Sequence, residues 1–95
     1  MRNYEIMFIV KPTLSEDETK KVVESFGKVL TDNGAKITDQ KEMGQRELAY
    51  EINKFSTGYY YLYVVEANSE AEQEFNRVAR INESILRSII VKVEE

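Results

Sequence analysis

Residues 58–79, Gly-Tyr-Tyr-Tyr-Leu-Tyr-Val-Val-Glu-Ala-Asn-Ser-Glu-Ala-Glu-Gln-Glu-Phe-Asn-Arg-Val-Ala, contain the clearest change of periodicity in the chain. Tyr59–Glu66 is rich in aromatic and β-branched residues, and both of its faces are apolar, which is typical of a central strand. At Ser69 the period becomes helical, and Ser69-Glu70-Ala71-Glu72 has the form of a capping box. The apolar stripe of this helix consists of Ala71, Phe75, Val78 and Ala79. The stretch therefore predicts a central strand followed directly by an amphipathic helix.

The N-terminal part of the chain has the same order of elements. A strand is predicted at Asn3–Val10, and it ends at Lys11-Pro12 because proline has no N–H group for the sheet. Ser15-Glu16-Asp17-Glu18 is a second capping box, with three acids in the positive first turn of a helix. Asn33-Gly34 is expected to end this helix, since glycine readily adopts the left-handed conformation. The apolar stripe of the helix consists of Val22, Val23, Phe26, Val29 and Leu30.

The segment Ala35–Asn53, between the first helix and the central strand, changes its apolar face. Its odd-numbered apolar residues are Ile37 and Met43, and its even-numbered ones are Leu48, Tyr50 and Ile52. A strand alternates with period two, so the face must change between these groups, and Gly44 is the expected bulge. We predict a weakly packed polar strand that continues into a well-anchored one. A short turn at Phe55-Ser56-Thr57-Gly58 follows.

The last predicted strand lies near the C-terminus, with Ile85, Ile89, Val91 and Val93 on one face and Leu86 and Ile90 on the other. Residues 1–95 then form one α+β domain, a ferredoxin-like β-α-β-β-α-β sandwich. It has a four-stranded antiparallel sheet and two helices on one face. From right-handed crossovers we expect the first and third strands to be parallel neighbours at the centre. This fold hosts many unrelated functions.

The composition excludes several classes of function. The chain has no cysteine and no histidine, which removes disulfides, thiolate nucleophiles, the common catalytic triads and the commonest metal ligand. Apolar runs such as Ile6–Val10 are far shorter than the roughly 20 residues of a membrane span, and Glu5 interrupts any signal-peptide pattern. We therefore predict a cytoplasmic protein with no catalytic residue, no metal, no cofactor and no membrane contact.

The sheet face away from the helices is expected to carry the function. Glu5 favours its own side of the first strand as this open face. On the third strand the row Tyr59, Tyr61 and Tyr63 competes with Tyr60, Leu62 and Glu66 for exposure. An exposed tyrosine can stack on a nucleic-acid base or contact a protein. Thr57–Val64 matches the third-strand signature of an RNA-recognition motif only in part.

The segment Gly44-Gln45-Arg46-Glu47-Leu48-Ala49-Tyr50-Glu51-Ile52-Asn53 resembles the signature of the bacterial small-subunit ribosomal protein six family. The signature positions are Gly44, Arg46, Leu48, Ala49, Tyr50 and Ile52. The opening Met1-Arg2-Asn3-Tyr4-Glu5 and the group Lys54, Gly58-Tyr59-Tyr60 also resemble this family. The resemblance implies a structural, non-enzymatic protein of the ribosome and of translation. It implies binding to the central domain of small-subunit ribosomal RNA and pairing with ribosomal protein eighteen.

The chain has 13 basic and 17 acidic residues, and its net charge of −4 gives no general support to nucleic-acid binding. Any RNA binding must therefore come from individual basic residues. The candidate RNA contacts are Arg2, Arg46, Lys54, Arg80, Arg87 and Lys92. Arg46 and Arg87 can each bind a phosphate bidentately from a strand. We expect an isolated monomer that binds RNA weakly, and a basic partner that covers exposed apolar surface such as the tyrosine row.

Leu48, Tyr50 and Ile52 are expected to be the packing face that anchors the second strand, so their role would be structural. A different class of function remains open, namely a small-ligand or regulatory ferredoxin-like domain that dimerises through its open sheet face. An enzyme is the least favoured class, because no nucleophile or general base with a positioned partner can be named.

Overall fold

The computed structural model describes residues 2–93, so Met1 of the quoted opening and the last two residues lie outside it. The elements, in chain order, are β1 Arg2–Val10, α1 Glu16–Asp32, β2 Lys36–Ile52, β3 Phe55–Ala67, α2 Ser69–Ile81 and β4 Ile85–Val93. The strands form a four-stranded sheet in the order β2-β3-β1-β4. Every neighbouring pair is antiparallel, and both helices contribute to the core on one side. The predicted ferredoxin-like sandwich is confirmed.

The two central strands are β1 and β3, but they run antiparallel, so the expected parallel pairing is wrong. The crossover through α1 leaves β1 and β2 parallel with one strand position between them. A tight hairpin connects β2 to β3, which makes β3 antiparallel to β2. Because β3 fills the vacant position, it is antiparallel to β1 as well.

The helix starts differ from each other. At α1 the predicted capping box is present: the Glu18 amide donates to Ser15 Oγ at 3.2 Å, and the Ser15 amide donates to Glu18 Oε1 at 3.3 Å. At α2 the predicted box is wrong, because Asn68 is the N-cap and Ser69 is already helical. The buried residue Ala67 still belongs to β3, which leaves one residue for the turn into the helix.

The core between the sheet and the helices is built around three fully buried phenylalanines, Phe8, Phe26 and Phe75. The Phe8 and Phe26 ring centroids are 5.2 Å apart, and Phe26 lies 5.2 Å from Phe75. Tyr63 is also buried, and its hydroxyl donates to the Val23 carbonyl of α1 at 2.8 Å. These contacts fix α1 and α2 on the same side of the sheet.

The structure decides which residues of the central strands face the helices. Tyr63 is buried, and Tyr59 and Tyr61 are half-buried against the core. The expectation that a partner covers this tyrosine row is therefore wrong. Glu5 is exposed and its neighbours Tyr4 and Ile6 are buried, as predicted. The open face, which is the side of the sheet away from the helices, carries Tyr60, Leu62 and Val64 of β3, since they pair with Ile9, Met7 and Glu5 of β1.

The β2–β3 hairpin combines a confirmed bulge with a displaced turn. Pairing shifts between Glu42 and Gly44, and Gly44 has a φ of +80°, as a bulge glycine predicts. The turn residues are Asn53 and Lys54, with φ of 50° and 71°. Positive φ at both central residues is typical of a two-residue hairpin loop. The predicted turn at residues 55–58 is wrong, because those residues already belong to β3.

A bulge in β4 changes which of its residues face the core. Ile9 pairs with Arg87 and Val10 pairs with Ile85, so Leu86 is an extra residue. Ile85 consequently packs against the core, whereas Ile89 lies on the open face and is 40% exposed. The prediction that these two isoleucines share a face is wrong for this reason.

Gly58 of β3 has no room for a side chain. A Cβ atom there would lie 2.4 Å from Ile9 Cγ2 and 3.3 Å from the Val10 carbonyl oxygen. We expect Gly58→Ala to lower the free energy of unfolding by about 1–3 kcal/mol, as overpacking does. Urea unfolding measures this change. The loss should be smaller in an Ile9→Leu background, because leucine has no methyl group at the Cγ2 position. If Gly58→Ala is as stable as the wild type, the assigned contact is contradicted.

Candidate nucleic-acid interface

The end of β2 leaves its own edge of the sheet and crosses the open face. Between the pairs Glu47–Thr57 and Ile52–Phe55, residues 48–51 of β2 lie opposite the single residue Ser56. This excess length allows the segment to bend out of the sheet. We call residues 48–52 the arm. Its residue Tyr50 reaches Arg87 of β4, although β2 and β4 are the two edges of the sheet. The arm therefore spans one end of the open face.

A cleft of about 130 Å³ lies between the arm and the sheet. Its walls are mainly apolar, with Leu48 and Ile52 from the arm and Met7 and Ile9 from β1. Ile9 is buried there although it faces away from the helices. The expectation that Leu48, Tyr50 and Ile52 anchor β2 on the core side is thus wrong. They belong to the arm on the opposite face, and Leu48 and Ile52 are only half-buried.

Tyr50 and Arg87 form a direct polar contact across the width of the sheet. Arg87 Nη1 donates to the Tyr50 hydroxyl, and the guanidinium carbon lies 5.8 Å from the centre of the tyrosine ring. Both residues are exposed. Arginine has five N–H donors in a planar fork, and this contact uses one of them. Arg87 is therefore held in place while it retains donors for an anion.

Two further predicted cations lie at this end of the sheet. Arg46 pairs with Gly58 and so belongs to the open face, and its Nε donates to the Met43 carbonyl at 3.2 Å. Lys54 occupies the hairpin turn directly after the arm. Arg80 lies in the last turn of α2, which leads to the start of β4, but it belongs to the helix layer. The structure thus brings Arg46, Lys54 and Arg87 to the arm end of the open face.

The other two predicted cations lie at the opposite end of the sheet. Arg2 pairs with Ala67, where β1 begins and β3 ends. Lys92 pairs with Tyr4 and therefore lies on the helix side of β4. The structure does not bring Arg2 and Lys92 together with the arm.

Sequence reasoning missed Lys41, which lies on the open face. It is exposed and pairs with Leu62, and its ammonium group lies 4.0 Å from Asp39 Oδ2. The pairing shifts on both sides of this stretch, between Ile37 and Asp39 and between Glu42 and Gly44, change the parity of β2. Alternation along the sequence consequently could not show which face Lys41 occupies.

The middle of the open face is a partly exposed apolar patch. Met7 pairs with Leu62 on one side and with Ile89 on the other. Glu5 lies between Val64 and Val91 in the same way, and Val91 is 52% exposed. We use the name apolar patch for Met7, Leu62, Val64, Ile89 and Val91. Exposed apolar surface with charged neighbours is typical of a protein–protein interface.

The helix side of the sheet has a second cleft, of about 300 Å³, between the first turn of α1 and the β2–β3 hairpin. Tyr61 lines it, and partial burial, together with the nearby Glu42 carboxylate, raises the pKa of its hydroxyl. Within residues 2–93, no group of three or more acidic side chains is placed to hold a metal ion. In the same part of the chain, neither helix is long and apolar enough to cross a membrane.

Comparisons with known proteins agree with this architecture. A family model described as ribosomal protein S6 matches residues 3–92, which include the arm and the open face. The small ribosomal subunit protein bS6 of Shouchella clausii (strain KSM-K16) is 50% identical over 95 residues and is matched over 100% of both chains. The crystal structure of 30S ribosomal protein S6 from Thermotoga maritima is similar with a TM-score of 0.93 at 32% identity. That match covers 97% of this chain and 87% of the other.

Proposed function

Because the chain belongs to the ribosomal protein S6 family of the small ribosomal subunit, we propose that it binds the central domain of small-subunit ribosomal RNA. In this proposal it does so together with ribosomal protein eighteen, as a non-enzymatic component of cytoplasmic ribosomes. The observation that carries the proposal is the division of the open face. An apolar patch occupies its middle, and three cations lie beside the arm at one end.

The apolar patch suits a protein partner. Ile89 and Val91 are 40% and 52% exposed, and covering them would remove apolar area from water. Glu5 lies within the patch, and the chain carries a net charge of −4. A partner rich in lysine and arginine is therefore electrostatically complementary to this face. Such a partner would also contribute phosphate-binding cations that this chain lacks.

The arm end suits RNA. Arg46, Lys54 and Arg87 are exposed there, and arginine on a strand can bind a phosphate with two parallel N–H groups. Three cations neutralise few phosphates and so release few counterions from the RNA. The isolated chain should therefore bind RNA weakly. The affinity for RNA should rise when the basic partner is present, because the two proteins together neutralise more phosphates than this chain does alone.

We expect Arg46→Ala and Arg87→Ala, tested separately in the complex with the partner, each to reduce the slope of log K against log salt by about 1. Each substitution removes one phosphate contact. The measurement is RNA binding at several salt concentrations with a central-domain rRNA fragment. Lys28→Ala, on the exposed side of α1, is the matched control, since it removes the same charge away from the sheet.

Arg2→Ala and Lys92→Ala belong in the same series, because both residues remain candidate contacts. If Arg2→Ala and Lys92→Ala change the salt slope of RNA binding and Arg46→Ala and Arg87→Ala do not, the RNA contacts the other end of the sheet. Tight binding by the isolated wild-type chain would contradict the need for a partner. A stable homodimer without RNA affinity would favour the alternative, a small-ligand or regulatory domain that dimerises through the open face.

A further inference from the structure

We infer that Tyr50 and Arg87 together form a subsite for one unpaired RNA base and an adjacent phosphate. This inference rests on the proposed RNA binding and specifies where a single nucleotide is held. All six tyrosines lie within residues 2–93, and Tyr50 is the only one that is exposed, at 59%. A large aromatic ring that remains in solvent is available to a ligand, because base stacking needs an accessible ring face.

The Tyr50 ring is held in position before any ligand arrives. Its hydroxyl accepts a hydrogen bond from Arg87 of β4. Leu48 and Ile52, on either side of it in the arm, are half-buried above the cleft. A ring that is contacted at its tip and carried between two partly packed neighbours loses less freedom on binding than an unconstrained ring, which favours affinity.

Arg87 supplies the charge beside the ring. Its guanidinium carbon lies 5.8 Å from the ring centre, and only one of its donors is directed to the tyrosine hydroxyl. The remaining donors can bind a phosphate oxygen while a base stacks on the ring. The two groups therefore match the two parts of one nucleotide, an aromatic base and an anionic phosphate.

The surroundings favour RNA over the protein partner at this position. Arg46, Lys54 and Arg87 outnumber Glu51, the one acid of the arm, so a basic protein would meet mainly like charges at this end of the sheet. The base must be unpaired, because a base within a duplex is stacked between its neighbours and exposes only its edges. Loops and bulges of RNA provide such bases.

The test compares variants in the complex with the partner, using a central-domain rRNA fragment. Tyr50→Leu removes the aromatic face but keeps apolar volume, and we expect affinity to fall about 5- to 150-fold with an unchanged salt slope. Tyr50→Phe keeps the ring and should lose much less. Arg87→Ala should instead reduce the salt slope. Tyr59→Leu, on the helix side of β3, is the control and should leave RNA affinity unchanged.

A second experiment replaces unpaired nucleotides of the rRNA fragment by abasic sites, one at a time. We expect one abasic position to weaken binding to the wild type and to cause little further loss with Tyr50→Leu. Thermal melting shows whether each variant is folded. Tyr50 and Arg87 are exposed, so their substitution should not prevent folding.

Three outcomes would overturn the inference. If the wild-type complex binds RNA and Tyr50→Leu binds equally well, the subsite is absent and the proposed function stands. If Tyr50→Leu weakens binding of the partner protein but not of RNA, the arm is a protein contact. If the wild-type complex has no affinity for the rRNA fragment, the proposed function fails and the subsite fails with it.

Discussion

Replacing Phe8 by alanine is expected to lower the free energy of unfolding by about 3–5 kcal/mol, as the loss of a buried phenylalanine does. The Phe8 side chain is fully buried near the C-terminal end of β1. Its ring meets Phe26 of α1 at 5.2 Å, Phe75 of α2 at 6.2 Å and Tyr61 of β3 at 5.6 Å between centroids. The substitution therefore removes contacts to both helices and to the neighbouring strand, and it leaves a cavity among them.

Urea unfolding followed by circular dichroism measures this effect. Phe55→Ala is the matched control, because Phe55 is only half-buried at the start of β3 and should cost much less. If Phe8→Ala leaves too little folded protein to measure, Phe8→Leu should still show a loss of roughly 1 kcal/mol or more. Equal costs for the Phe8 and Phe55 substitutions would show that the core is not centred on Phe8.

The second large effect is a loss of stability at alkaline pH through Tyr63. Burial raises the pKa of the Tyr63 hydroxyl from 10.0 to about 12. In the neutral form, this hydroxyl donates to the Val23 carbonyl at 2.8 Å. The folded state thus favours the protonated phenol more strongly than the unfolded chain does. This stability is fully present below pH 10 and is lost as the pH rises to about 12, where the loss reaches about 2–3 kcal/mol.

Urea unfolding between pH 9 and pH 12 tests this expectation. Tyr63→Phe should cost about 1 kcal/mol at pH 9, since it removes one hydrogen bond. It should also flatten the fall in stability at higher pH. Other tyrosines and the lysines ionise in the same range, so the informative quantity is the difference between the wild type and this variant. An identical pH dependence for both proteins would exclude Tyr63 as the cause.

Local features of the chain were predicted correctly because short-range interactions produce them. The capping box at Ser15 needs only residues three apart, and Gly34 ends α1 with a φ of +85°. The stripes of the two helices, centred on Phe26 and Phe75, follow from a period of 3.6 residues. Gly44 was recognised as a bulge from the change of parity around it. The signature around Tyr50 also identified the family correctly.

Features that depend on how strands pair were not predictable in the same way. One extra residue, Leu86, turns Ile89 to the open face. The excess residues of the arm place Leu48 and Ile52 above the sheet and not in the core. A bulge reverses the alternation of every residue beyond it, and its position depends on the partner strand.

The sequence by itself determined the element order, the start of α1, the apolar stripes of both helices and the membership of a ribosomal protein family. Only the tertiary structure decided that the tyrosine row faces the helices and that Tyr50 contacts Arg87 across the sheet. Residues 50 and 87 lie on opposite edge strands, and no local pattern encodes their distance. Their contact follows from the strand order and from the bend of the arm, which arise when the whole chain packs.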